Sequence, residues 1–417
     1  MKISNIILAL SMILSFHVGV RAQSKDELHL TKTFVDKQLE AAASQITFLA
    51  KATPDEKFPR TFSKGQQQFS GSSWWCSGFY PGTLLYLYEA TGSINLLDFA
   101  NQKLDHLAKE KDNTGTHDLG FMLYCSFGNA LRITGDSAQY KDVLVRGAGS
   151  LASRFSPVTQ TIRSWDHKPW HYPVIIDNMM NLEFLLQMSK ITGNSDLYDI
   201  SVSHANTTLV NHFRKDYSSY HVVDYDQKTG DVLGKKTHQG AFDESAWSRG
   251  QGWALYGYTM MFRETGSKKY LRQARKIADY IFNQPNMPSD LVPYWDFDKD
   301  QIPKEDRMYE NRNLRDVSAA ALYASALVEL SQYVTKKEAA RYMQWAEKII
   351  TSLSQEPYRA TLGENGGYIL QHSVGALPLN SEVDVPLTYA DYYYVEALVR
   401  YKRLLEGKPA VLETATR

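Results

Sequence analysis

Four residues able to do chemistry, Trp75, Asp118, Asp177 and Arg249, stand sixteen or seventeen residues before the glycines of four Thr-Gly pairs. The pairs are Thr91-Gly92, Thr134-Gly135, Thr192-Gly193 and Thr265-Gly266, and each closes an apolar run. A run of that length makes about 25 Å of α-helix, and glycine is a common C-terminal stop. If each run is one helix and the helices stand side by side, all four residues share one end of the bundle. Two carboxylates facing one cleft are the equipment of acid/base chemistry on sugars. An indole offers a flat surface for a ring, and a guanidinium offers a planar donor fork for a carboxylate. Together they describe a site for an acidic sugar.

Each residue also has a plainer reading. Asp at a helix start is an ordinary N-cap, and Arg249 can pair with an acid on a neighbouring helix. Trp247 and Trp253, which flank Arg249 in Trp247-Ser248-Arg249-Gly250-Gln251-Gly252-Trp253, fill a core as readily as they stack on a ring. Coincidence of register is what favours a site. The apolar run Val174-Ile175-Ile176 before Asp177 disfavours its charged form and suits a proton donor. Asp118, next to His117, is better placed to stay ionised.

These residues need a scaffold, and the apolar patterning supplies one. Segments 77–88 and 119–131 are apolar nearly all round, the mark of helices buried on every side. Two similar runs, 317–334 and 389–405, lack the Thr-Gly stop. Six inner helices therefore alternate with six amphipathic outer ones, around 28–50, 94–110, 137–153, 195–213, 267–283 and 337–355. Helical hairpins repeated six times predict an all-α (α/α)6 barrel, since each buried helix is covered only by its neighbours. Insertions at 155–176 and 214–247 carry His167, His171, His221 and His238, and loops on one face of a rigid scaffold are where sites are built. Within the second, 220–225 and 232–234 bracket a polar turn and predict a rim hairpin. No linker divides the chain after residue 22, so residues 23–417 read as one domain.

The chain has 46 basic and 46 acidic residues, which leaves no excess charge for nucleic acid or an anionic membrane. Residues 1–22 read as a removable export signal: Lys2, an apolar stretch from Ile6 to Phe16, and Val20-Arg21-Ala22 before the cut. That stretch is too short to span a bilayer, and no cysteine near the cut offers a lipid anchor. A periplasm-like location is expected. Cys76 and Cys125, the two cysteines of the chain, lie in apolar stretches and read as free thiols. His167 and His171 have the i, i+4 spacing of helical zinc ligands, but Pro169 between them argues against that helix. No metal site and no cofactor are expected, and no phosphate loop or serine elbow is present.

Three ordered motifs carry a resemblance: His117-Asp118-Leu119-Gly120-Phe121, Ile175-Ile176-Asp177-Asn178, and the Trp247–Trp253 stretch, followed by Asp391-Tyr392-Tyr393-Tyr394-Val395-Glu396-Ala397-Leu398. Over roughly residues 70–400 the chain resembles the unsaturated glucuronyl hydrolases of glycoside hydrolase family 88. The unsaturated rhamnogalacturonyl hydrolases tend to have asparagine where this chain has Gln251. The resemblance implies an (α/α)6 barrel and, as substrate, the 4,5-unsaturated uronate that polysaccharide lyases leave at the non-reducing end of oligosaccharides. It implies hydration of a vinyl ether: Asp177 protonates C4 and directs water to C5, and the hemiketal opens and expels the next sugar. Asp118 is implied as the second essential aspartate, Trp75 and Trp253 as aromatic walls, and His221, Gln239 and Arg249 around the uronate. Trp247 and His238 are adjacent candidates. Members acting on sulfated fragments place a basic residue shortly before the last inner helix, whereas residues 369–389 here contain no Lys or Arg; Lys168 is another basic residue able to take that part. The alternatives are a rhamnogalacturonyl-type hydrolase, an ordinary glycosidase or lyase on the same barrel, and a noncatalytic glycan-binding protein.

Overall fold

The computed structural model describes residues 29–414; the predicted export segment lies outside them. Along the chain come α1 (Lys32–Ala52), a β1–β2 hairpin (Phe58–Ser63 and Gln66–Ser70), α2 (Phe79–Thr91) and α3 (Ile94–Leu107). A π-helical stretch, Gly120–Gly128, leads into α4 (Asn129–Thr134), followed by α5 (Ser137–Ala152), β3 (Phe155–Ser156), β4 (Thr161–Ile162) and β5 (Pro173–Ile175). A 3₁₀ segment, Ile176–Asn181, leads into α6 (Leu182–Thr192), then α7 (Ser195–Asn211), β6 (Val222–Tyr225) and β7 (Val232–Lys236). The remainder is α8 (Ser248–Thr265), α9 (Lys268–Phe282), α10 (Val317–Leu330), α11 (Lys336–Leu353), β8 (Ser373–Ala376), β9 (Ser381–Val385) and α12 (Thr388–Leu405).

The inner helices close a ring. α2 packs on the π-helical stretch, which packs on α6; α6 then meets α8, α8 meets α10, α10 meets α12, and α12 returns to α2. Each outer helix lies against the inner helix of its hairpin, as α3 does on α2, α9 on α8 and α11 on α10. The division follows from composition. All fourteen residues of α10 are buried, half of them small alanine or serine side chains that let neighbours approach, whereas α9 buries Tyr270, Gln273, Ala274, Ile277, Ala278 and Ile281 along one stripe. The barrel is thus the all-α fold read from the sequence, with short strands confined to its loops.

The Thr-Gly pairs end the helices by one repeated device. Gly92, Gly135, Gly193 and Gly266 adopt φ of 73, 73, 75 and 67°, the left-handed cap that glycine takes without strain. Each threonine hydroxyl donates back to the carbonyl four residues earlier: Thr91 to Leu87, Thr134 to Ala130, Thr192 to Met188 and Thr265 to Met261, at 2.6–2.8 Å. The same oxygen accepts the amide just beyond the glycine, as Asp136 N–H to Thr134 at 3.1 Å. Near this end Arg263 ties Glu183, Glu264 and Glu329 together, and Arg400 bonds Glu329 and Glu396. That end is pinned by buried ion pairs.

At the opposite end the helices do not begin as the sequence suggests. The second inner helix starts as a π-helix, and the third as a 3₁₀ turn containing Asp177. Asp118 and Asp177 are therefore not N-caps. Gly78 shows the crowding: a Cβ there would lie 2.1 and 2.2 Å from the carbonyl oxygens of Met122 and Phe121. The predicted rim hairpin is β6–β7, extended by β5 into a three-stranded antiparallel sheet. Among the described residues no helix is long and apolar enough to cross a membrane, and Cys76 and Cys125 are both free.

Candidate active site

Trp75, Asp118, Asp177 and Arg249 do meet. They line one cavity of about 940 Å³, counting its open mouth, together with His117, Gln239, His238 and Tyr389. The floor comes from the starts of the inner helices. The rim comes from loops: Trp165 and His167 in the 155–176 insertion, and Gly375, Ser381 and Glu382 on the β8–β9 hairpin. Trp75 is held edge-on by Phe79 and Phe121 and lies 4.9 Å from the Tyr389 ring.

Asp177 is 7% exposed, and its Oδ2 has no hydrogen-bond partner. Burial raises its carboxyl to about 7; the Arg249 guanidinium opposes the rise and Asp118 adds to it. Burial also raises Asp391 to about 7 and Asp296 to about 6. Those two are occupied, however: Asp391 accepts the amides of Ile369 and Leu370, and Asp296 those of Ala241 and Asp298 plus the Ser245 hydroxyl. Only at Asp177, among these three, does a carboxyl poised near neutral pH line the cavity, and its buried Oδ2 carries no hydrogen bond. It can hold and deliver a proton.

Asp118 is fastened differently. Its Oδ2 accepts the Thr116 hydroxyl at 2.7 Å, and its Oδ1 lies 3.2 Å from His117 Nε2. Burial keeps His117 below the usual imidazole range, with Asp118 opposing, so it is neutral at pH 7. His221 stands behind Asp177, not on the cavity wall. Its Nδ1 accepts the backbone N–H groups of His238 and Gln239 at 3.0 and 3.2 Å. This leaves the imidazole proton on Nε2, which points at Asp177 Oδ2 from 3.7 Å. Burial holds His221 neutral. It is a fixed dipole aimed at the acid.

Three expectations need correction. Arg249 is not a free fork: it is 1% exposed, with Nη1 donating to Asp316 at 2.7 Å and to the Val374 carbonyl at 2.6 Å, and Nη2 donating to the Gly375 carbonyl at 2.6 Å. The salt bridge is to Asp316, at the start of α10, and Arg249 faces the cavity from within that lock. Trp253 is no wall. It is fully buried against Phe121 and Tyr393. Trp247 is buried too, packed 4.7 Å from the His221 ring and under the Arg249 guanidinium. Both tryptophans fill the space beneath the site because the helix carrying them is buried through Phe262. Gln251 likewise bonds Ser219 and the Trp247 carbonyl, away from the cavity.

Several lining residues escaped the sequence reading. Tyr389 lies at the start of α12 with its hydroxyl unpaired. Trp74 adjoins Trp75 in the chain, and Trp165 lies in the 155–176 insertion. Trp165 stacks on His167 with centroids 5.4 Å apart and planes 8° from parallel. His167 packs on Trp165, whereas His171 bonds Asp224. No group of three or more His, Cys, Asp or Glu able to hold a metal occurs among the described residues.

Comparison with known proteins decides the family. The Glycosyl Hydrolase Family 88 model matches residues 50–407. The chain belongs to this family. It is a family 88 glycoside hydrolase, and its relatives sharpen the picture. It is 43% identical over 352 residues to an unsaturated glucuronyl hydrolase of Formosa agariphila, covering 84% of this chain and 85% of that one. It is 30% identical to the unsaturated glucuronyl hydrolase of a Bacillus species, covering 84% and 93%. The crystal structure of an unsaturated glucuronyl hydrolase specific for heparin superposes with a TM-score of 0.84 at 46% identity, covering 89% of this family 88 chain and 97% of the other.

Proposed function

We propose that the protein removes a 4,5-unsaturated uronic acid from the non-reducing end of lyase-generated oligosaccharides by hydrating its C4=C5 vinyl ether. The observation that carries this reading is Asp177: a buried carboxyl that lines the cavity and is raised to about 7, its Oδ2 left without a hydrogen-bond partner. Its protonated form gives the proton to C4. The positive charge then develops at C5 and the ring oxygen, and the carboxylate left behind accepts a proton from water as its oxygen adds to C5. The hemiketal opens and the attached sugar leaves. Asp118, fixed by Thr116 and beside neutral His117, holds substrate hydroxyls, and its charge helps keep Asp177 protonated. Trp75 and Tyr389 flank the ring. Arg249 contributes its positive field and holds the β8 carbonyls that shape the cavity, while Gln239, His221 and His238 complete the surroundings.

The names of the relatives support the substrate class, and the sequence of residues 1–22 supports export to a periplasm-like compartment. Incubation with a panel of lyase-derived unsaturated disaccharides, followed by alkene absorbance, tests the reaction. Loss of absorbance with release of free sugar is expected. A protein that binds the panel and leaves the absorbance unchanged is not this enzyme.

A further inference from the structure

The outer wall of the barrel carries a charge imbalance that the whole chain does not. The sequence has 46 basic and 46 acidic residues, whereas α9 and α11 together hold nine basic residues against three acidic ones. The outer helix before them, α7, has two acidic residues and no lysine or arginine.

α9 and α11 are tied into one face. Arg275 on α9 pairs with Glu338 on α11, Arg341 on α11 pairs with Asp279 on α9 at 2.9 Å, and Phe282 stacks on Trp345 with centroids 4.4 Å apart. Those pairs engage two of the three acids. The third, Glu347, is turned inward to the His29 amide and the Tyr401 hydroxyl. Lys268, Arg272 and Lys276 are exposed at i, i+4 and i+8 of α9, on one ridge of about 12 Å, with Lys269 exposed beside it. Lys337 and Lys348 stand exposed on α11. None of these six has an acidic partner among the described residues.

Two observations separate this face from an ordinary solvated one. Lys268 and Lys269 occupy the first turn of α9, which contains no acid, although the helix dipole favours acids at that end. Tyr217, on the loop after α7, is 37% exposed at a φ of 73°, and Lys276 Nζ lies 5.6 Å over its ring. A non-glycine residue held in the left-handed region costs free energy, and here it sets an open aromatic ring beside the cationic ridge. Neither helix exposes a large apolar side chain, the anchor of a membrane-surface helix.

We propose that this wall is a docking surface for an acidic polysaccharide: carboxylate or sulfate groups repeated along the chain meet the ridge cations, and a sugar ring stacks on Tyr217. The choice of occupant rests on the substrate class proposed above, because those fragments are cut from such chains. None of the wall's residues lines the catalytic cavity. Docking therefore holds the enzyme on the material that yields its substrate and leaves the chemistry untouched. Exposed ion pairs are individually weak and screened by salt, so the affinity comes from several contacts made together.

The test is binding of end-labelled heparin and chondroitin sulfate chains with saturated non-reducing ends, which offer the cavity no alkene, followed by fluorescence anisotropy over a range of salt. The wild type should bind, more weakly as salt rises. Combining Lys268→Glu, Arg272→Glu and Lys276→Glu should raise Kd by about tenfold or more and flatten the salt dependence. Tyr217→Ala should raise Kd by about threefold or more with the salt dependence kept. In both variants kcat/KM on an unsaturated disaccharide should stay within about twofold of the wild type. If charge reversal damages the fold, Lys268→Gln, Arg272→Gln and Lys276→Gln together take its place, with about threefold or more expected in Kd. No binding of either polysaccharide by the wild type, or equal binding by the ridge variants, overturns the proposal. So does equal or tighter binding of duplex DNA or of anionic phospholipid vesicles. Failure of the hydrolase reading shows separately, as absent turnover of every unsaturated disaccharide.

Discussion

Replacing Asp177 with asparagine should abolish turnover while making the protein more resistant to unfolding at alkaline pH. A carboxyl at the ordinary value of 3.8 is protonated in about one molecule in 1,600 at pH 7, whereas one raised to about 7 is protonated in about half. The cavity thus enriches the acid by roughly 800-fold, and the amide cannot donate a proton to carbon. Loss of general acid catalysis costs about 10² to 10⁴ in rate. The same shift sets a stability cost. Because the folded-state value lies above the unfolded one, Asp177 favours the folded state fully below about pH 4, and that contribution is lost as pH rises through 7. The loss is on the order of 4 kcal/mol. The asparagine of the variant carries no such pH-dependent term, although its buried amide lacks a partner and costs about 1–3 kcal/mol at every pH. The Tm of the Asp177→Asn variant minus that of the wild type should therefore climb by about 3–5 °C between pH 4 and 8. Thermal unfolding by circular dichroism reads the difference, in which Asp391, Asp296 and Glu183 cancel. Near-normal turnover, or a Tm difference flat with pH, would refute the reasoning.

Other outcomes follow from the same geometry. In the wild type, kcat/KM should fall tenfold per pH unit above about 7 as Asp177 loses its proton, and a rate flat to pH 9 would remove Asp177 from the role of acid. Arg249→Ala strands Asp316 in the core, so it should destabilise the fold by about 3–5 kcal/mol; a variant of wild-type Tm with a raised KM alone would restore the free fork. Asp118→Asn should lower kcat and bring the high-pH limb below 7, because the like charge that helps raise Asp177 is gone; an unmoved limb in pH–rate measurements counts against that coupling. N-terminal sequencing of exported protein should begin near Gln23, whereas retained Met1 would contradict the export reading.

The barrel was legible because its helices are punctuated. Thr-Gly stops and buried or amphipathic runs are local signals, and they placed twelve helical segments and the register of Trp75, Asp118, Asp177 and Arg249 at one end. What failed was anything that depends on a partner far along the chain. Arg249 meets Asp316, 67 residues away, and no periodicity announces that pairing. Trp253 sat in the right motif, but only the packing of α8 against its neighbours shows that it lies under the site. The rim residues Glu382 and Trp165 come from loops with no repeat to mark them. The helix starts carry no local mark either: the second inner helix opens as a π-helix at Gly120 and the third as a 3₁₀ turn at Ile176.

Proton delivery to C4 is the central claim, and turnover in heavy water tests it most directly. Hydration of the vinyl ether predicts one deuterium at C4 of the released acid, placed on a single face, in NMR spectra taken at initial rates. Direct attack on the glycosidic bond leaves the alkene intact and C4 without deuterium. Released uronate that still shows its alkene signal and carries no deuterium at C4 would contradict the account.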